Sequence, residues 1–94
     1  MDFSEWIGLP ENEQREKCQF LDPWDNRDLF ESIEHAFREA YGEKDLSSVR
    51  CGLGPFIGPY NCIVAVVARR QSGISFPDAF LGFPVIVEWH EMDL

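Results

Sequence analysis

Between Asn61 and Arg69 the chain reads Asn-Cys-Ile-Val-Ala-Val-Val-Ala-Arg, with seven apolar residues in unbroken succession. Val64, Val66, Val67 and Ile63 are β-branched, stiff at χ1 and better suited to a pleated surface than to a helix. The run therefore predicts a strand. Because it is apolar on both faces, it also predicts a central strand with cover on each side. The remaining elements are read as that cover.

With 94 residues, the chain makes one domain that buries roughly 60 to 70% of its unfolded surface, enough for a single two-layer core. Eight Phe, three Trp and two Tyr within an apolar fraction of 45% exclude a disordered chain. The net charge is −9, from 17 Asp and Glu against 8 Lys and Arg. Such a field repels phosphate backbones and anionic lipid, so neither nucleic acid nor a membrane is expected as a partner. Three Cys, at positions 18, 51 and 62, cannot all pair, and Met-Asp-Phe-Ser-Glu-Trp lacks the basic and apolar regions of a secretory signal. These features predict a soluble protein of the reducing cytoplasm, since no apolar run approaches the roughly 18 residues that span a bilayer.

Residues 1–21 form an N-terminal arm and residues 22–94 a single α+β domain. In the arm, Pro10 followed by Glu11 and Glu13 suits the start of a short helix. Trp6 and Ile7 are large to leave in water, so the arm is expected to dock on its own sheet or on a partner. The main helix is predicted from Asp22 to Tyr41, with Asp22 as N-cap, Pro23 at the first helical position and Asp25 three residues after the cap. Leu29, Phe30, Ile33, Phe37, Ala40 and Tyr41 form its apolar stripe, and Gly42 supplies a stop that tolerates positive φ.

Residues 49–53 alternate as a strand and lead through the Gly- and Pro-rich segment 54–59 into the central strand, predicting an antiparallel hairpin. Residues 76–82 suit a short turn of helix ended by Gly82, and residues 84–89 alternate as a last strand. A connection of about thirteen residues without a full helix favours an antiparallel return over a crossover. The expected fold is one main helix on a three-stranded antiparallel sheet. Glycines at 52 and 54 leave the register of the first strand open.

In that arrangement Val64 and Val66 face the helix with Val49, Cys51, Leu53, Val85, Val87 and Trp89. Ile63, Ala65, Val67 and Ile86 then form an apolar patch on the second face, rimmed by Arg50, Arg69 and Glu88. One helix cannot cover both faces, so the patch is covered by the arm through Trp6 or by another protein, a second copy included.

No constellation for chemistry emerges. Gly52-Leu53-Gly54-Pro55-Phe56-Ile57-Gly58 has the wrong glycine spacing for a phosphate loop, loses a donor at Pro55 and precedes no helix. His35 and His90 are the two histidines, and neither CxxC nor HxxxH spacing occurs, so no metal or cofactor is expected. A Cys51 or Cys62 nucleophile served by His90 is the enzymatic alternative. Small buried thiols in strands explain the same residues without catalysis.

Val49-Arg50-Cys51-Gly52-Leu53-Gly54, Cys62 to Val67, Phe76-Pro77 and Gly82-Phe83-Pro84-Val85-Ile86-Val87-Glu88 together resemble a small bacterial helix-plus-β-hairpin module. Its pattern is V-x-G-x-G … I-x-V-x-V … L-P … G-x-P-V-x-V, and it occurs alone or ahead of trypsin-like peptidase domains. The resemblance spans roughly residues 33 to 89 and implies a helix and hairpin with no catalytic residue. Arg50-Cys51 departs from the small or branched residues usual there, and these residues hold no peptidase domain. The expectation is a non-enzymatic interaction domain. An acidic inhibitor or immunity-type protein that binds a basic toxin or nuclease is the alternative of a different class.

Overall fold

The computed structural model describes residues 1–42, 46–53, 61–67 and 76–89. In chain order these form α1 (Phe3–Ile7), α2 (Glu11–Lys17), a 3-10 turn (Cys18–Phe20), α3 (Arg27–Tyr41), β1 (Leu46–Leu53), β2 (Asn61–Val67), β3 (Ala79–Phe80) and β4 (Phe83–Trp89). The protein is α+β, with α3 as the main helix. Its sheet has four strands in the order β1-β2-β4-β3 and is mixed, not three-stranded and antiparallel.

β1 and β2 pair antiparallel as expected, and β2 is central between β1 and β4. β4, however, runs parallel to β2. Among the described residues, the return to β4 finishes in a tight hairpin, β3 against β4, in which Phe80 opposes Phe83. Leu81 and Gly82 form the two-residue turn at φ 50° and 89°, the pair of positive φ values that matches strand twist in such a loop. The short helical turn expected over 76–82 is thus an extended pair and a hairpin turn. An Asn-Gly or Asp-Gly sequence signals this turn, whereas Leu-Gly does not.

Asp22 initiates a turn instead of capping the main helix. Its carboxylate accepts from the Trp24 N–H at 2.8 Å, and its carbonyl accepts from the Asn26 N–H and side-chain amide at 3.0 and 2.9 Å. α3 begins after Asn26 and ends at Tyr41 with Gly42 as its stop, at φ −62° in the right-handed region, so the positive φ that glycine tolerates is not used there. Leu29, Phe30, Ile33 and Phe37 are its buried stripe.

The arm is anchored in the core through Trp6, Gln14 and Cys18. Asp2 caps α1 by accepting from the Glu5 N–H at 2.8 Å, and α2 follows Pro10 with Glu11–Arg15 and Glu13–Lys17 pairs along its surface. Trp6 is 0% exposed. Its indole N–H donates to the Leu81 carbonyl at 2.9 Å, its ring meets Phe83 at 5.5 Å, and its carbonyl accepts from Gln14 Nε2 at 2.8 Å. Cys18 Sγ contacts the Gly82 carbonyl at 3.3 Å. Gln19 completes the attachment by pairing with the backbone of Asn61, accepting its N–H and donating to its carbonyl, each at 3.1 Å, as a neighbouring strand would.

Trp6 and Cys18 share one cluster with Leu29, Phe30, Ile33, Phe37, Val49, Cys51, Ile63, Ala65 and Phe83. The arm and α3 therefore lie on the same side of the sheet. A second aromatic group, Phe37, Tyr41, Phe76 and Phe80, closes that layer at the end of α3, with Phe80 edge-on to Phe37 at 5.3 Å.

Candidate interaction surfaces

Register decides which residues face outward. Val49 opposes Ala65 and Cys51 opposes Ile63, while Ile63 and Ala65 neighbour Val85 and Val87 of β4. Ile63 and Ala65 thus lie under α3 with the core, and Val67, also fully buried, shares their face by alternation. The second face carries Ser48, Arg50 and Gly52 of β1, Cys62, Val64 and Val66 of β2, and Pro84, Ile86 and Glu88 of β4. The central strand is one residue out of phase with the expectation. A strand apolar on both faces has no pattern to fix its phase, so a one-residue shift exchanges every side chain between faces at no cost in hydrophobicity.

Of the residues expected to form the interaction patch, Ile86, Arg50 and Glu88 are on the second face, with Arg50 exposed and the other two half-buried. Ile63, Ala65, Val67 and Trp6 are interior groups, and Arg69 lies outside the described residues. On the corrected face Cys62 and Val64 are buried and Val66 is half-buried. This face presents less open apolar surface than its composition promises.

The outer edge of the sheet at β1 is partly closed. Glu34 of α3 reaches the strand, and its carboxylate accepts the Cys51 N–H at 2.8 Å. A register shift between Leu46 and Ser48 further interrupts the edge, and both a charge and an irregularity hinder pairing with another strand. Replacing Glu34 with Ala leaves that amide bare. The variant is expected to lose about 1 to 3 kcal/mol of stability and to self-associate more readily with concentration, as measured by urea unfolding and sedimentation.

The three thiols are free and buried. Cys51 and Cys62 point to opposite faces of the sheet, so they do not converge on one site, and His90 lies outside the described residues. Burial pushes the Cys51 thiol well above its ordinary value of 9.0, and the Glu34 carboxylate adds to the rise. Burial also raises Cys62 and Cys18, offset in part by Arg50 for the former and by the Gln19 amide for the latter. A nucleophilic cysteine reacts as the thiolate, and these environments disfavour it at neutral pH. Among the described residues no group of three or more His, Cys, Asp or Glu is placed to hold a metal ion, and no helix is long and apolar enough to cross a membrane.

Among the described residues the open apolar groups are elsewhere. Phe20 is 85% and Trp24 is 83% exposed, with Ile7 and Met1 about half exposed at 51% and 50%. Trp24 and Met1 line a groove of about 400 Å³ with Asp2, Asp25 and Asp28. Asp28 also lines a second groove, of about 460 Å³, between α1 and the outer side of α3, where Phe3 and Ala36 meet Glu31, His35 and Glu39. In the sequence Trp24 sits within an Asp-Pro helix-start signal, but Arg27 and Asp28 at its i+3 and i+4 positions place it off any apolar stripe. No protein-family profile, curated protein or solved structure matches this chain.

Proposed function

We propose that this chain is a non-enzymatic protein-interaction domain of the cytoplasm. The observation that carries the reading is the contrast among its aromatics. Trp6 is wholly buried, whereas Phe20 and Trp24 are more than four-fifths exposed. Large rigid aromatics left in water are costly for a monomer and are the side chains that most often anchor an interface. Three free thiols held protonated suit a reducing compartment and speak against a Cys/His enzyme. The resemblance of the strands to a module without catalytic residues points the same way.

The acidic inhibitor or immunity-type alternative is favoured by the charge of −9, which accelerates association with a basic protein in a salt-dependent way. The second sheet face, with Val66 and Ile86 between Arg50 and Glu88, offers a separate surface on which a second copy can pair.

Tagged protein is used to capture partners at low and high salt, beside a Phe20→Ala/Trp24→Ala variant and a Val66→Asp variant. The wild type is expected to retain a defined partner that the aromatic variant loses. Equal retention by the aromatic variant, or no retention by any form, contradicts the reading through these side chains. Loss confined to Val66→Asp moves the contact to the sheet.

A further inference from the structure

We infer that the tract formed by the two grooves is a docking site for a basic amphipathic segment of another protein. The inference rests on the interaction-domain reading and adds the chemistry of the partner. Asp28 lines both grooves, so they neighbour each other at the start of α3, with Trp24 and Met1 on one side of it and Phe3 and Ala36 on the other. This tract lies on the helical layer, away from the sheet.

The groove at Phe3 and Ala36 is mainly apolar, the one at Trp24 and Met1 is mixed, and both have acidic banks. Trp24, Met1 and Phe3 supply large apolar surface, and the first two are open to solvent. Asp2, Asp25 and Asp28 stand along one groove, and Asp28, Glu31 and Glu39 along the other. Arg27 lies against the Glu31 carboxylate one turn on at 3.8 Å and His35 against that of Glu39 at 3.2 Å, and the Met1 ammonium stands among Asp2, Asp25 and Asp28, so carboxylates outnumber cations along the tract. The local field is therefore negative, like that of the whole chain.

A partner helix complementary to this tract has Leu-like residues on one stripe and Lys or Arg beside it. Its apolar stripe covers Trp24 and Phe3 while its cations meet the carboxylates, which is the helix-in-groove mode of recognition. A second copy of this chain is a poor occupant, because it carries the same charge of −9.

The test uses the full chain and a fluorescently labelled amphipathic peptide of Leu and Lys, with a counterpart in which Gln replaces Lys. Anisotropy is expected to show binding of the Lys peptide that weakens steeply with salt and little binding of the Gln peptide. Trp24→Ala and the pair Asp28→Lys/Glu31→Lys are each expected to lower affinity at least tenfold. Glu11→Lys/Glu16→Lys makes the same change in net charge on α2, outside the grooves, and is expected to alter affinity less than threefold. Equal losses from the two charge-reversed pairs reduce the binding to net charge and overturn the site. Self-association abolished by Trp24→Ala also overturns it, in favour of a second copy. Capture of a partner that is lost with Phe20→Ala/Trp24→Ala but unaffected by Asp28→Lys/Glu31→Lys refutes the basic-segment inference alone and leaves the interaction-domain reading standing.

Discussion

Replacing Trp6 with Ala is expected to lower stability by about 3 to 5 kcal/mol. The side chain is fully buried, packs on Phe83 and donates to the Leu81 carbonyl, while its own carbonyl holds Gln14. Truncation removes the ring from between α1 and β4, leaves the Leu81 carbonyl without that donor and opens a cavity at the centre of the cluster. Trp6→Phe keeps most of the apolar surface and loses the indole donor, so it is expected to cost less, about 1 to 3 kcal/mol. Urea unfolding of both variants separates packing from hydrogen bonding. A loss below about 1 kcal/mol for Trp6→Ala, the size of an ordinary surface or average substitution, would show that the arm is an appendage and not part of the core.

Gly82→Ala is expected to be nearly as damaging although it adds one carbon. Gly82 sits at φ 89°, and a Cβ there would lie 2.5 Å from Gln14 Cβ and 2.6 Å from the Gln14 carbonyl carbon. The left-handed backbone costs an alanine about 1 to 2 kcal/mol, and the forced separation of α2 from the hairpin adds about 1 to 3 kcal/mol. The melting temperature should fall by more than about 10 °C for a domain of this size. Gly52→Ala is the internal control. Among the described residues its Cβ would find only the Arg50 guanidinium at 3.7 Å, and glycine within a strand is itself unfavourable by roughly 0.5 to 1 kcal/mol, so that variant is expected to be neutral or slightly stabilised. Similar losses at the two positions would contradict the close approach of α2 to the Leu81–Gly82 turn.

These two variants probe the part of the fold least legible in the sequence. The apolar run of β2 identified the central strand, the alternation of β1 identified its hairpin partner, and the stripe from Leu29 to Tyr41 identified the main helix. What β2 withheld was its phase, because Cys62, Val64 and Val66 are as apolar as Ile63, Ala65 and Val67. Glu34 accepting the Cys51 amide and Trp6 reaching Leu81 are long-range contacts that no local pattern encodes. The parallel pairing of β4 had the same origin. β4 follows directly from the β3–β4 hairpin, and a Leu at positive φ leaves that turn without its usual sequence signal.

The surface divides in the same way. The acidic balance was plain from composition, and the need to dock Trp6 was plain from its size. Its destination was not, since Trp6 and Trp24 are both flanked by acidic residues and only the folded chain shows one at 0% and the other at 83% exposure. The Asp22 turn explains the difference. By starting α3 four residues later than the Asp-Pro signal suggested, it holds Trp24 outside the helix and beside Met1.

Residue-resolved NMR of the full chain titrated with the Leu and Lys peptide tests the central claim most directly. The account predicts that the Trp24 indole and the amides of Phe3, Asp28, Glu31, Ser32 and Ala36 shift together with one saturation curve, while Ser48, Val66 and Ile86 stay in place. Shifts concentrated on Ser48, Val66 and Ile86, with the helical groove silent, would contradict it and assign recognition to the second face of the sheet.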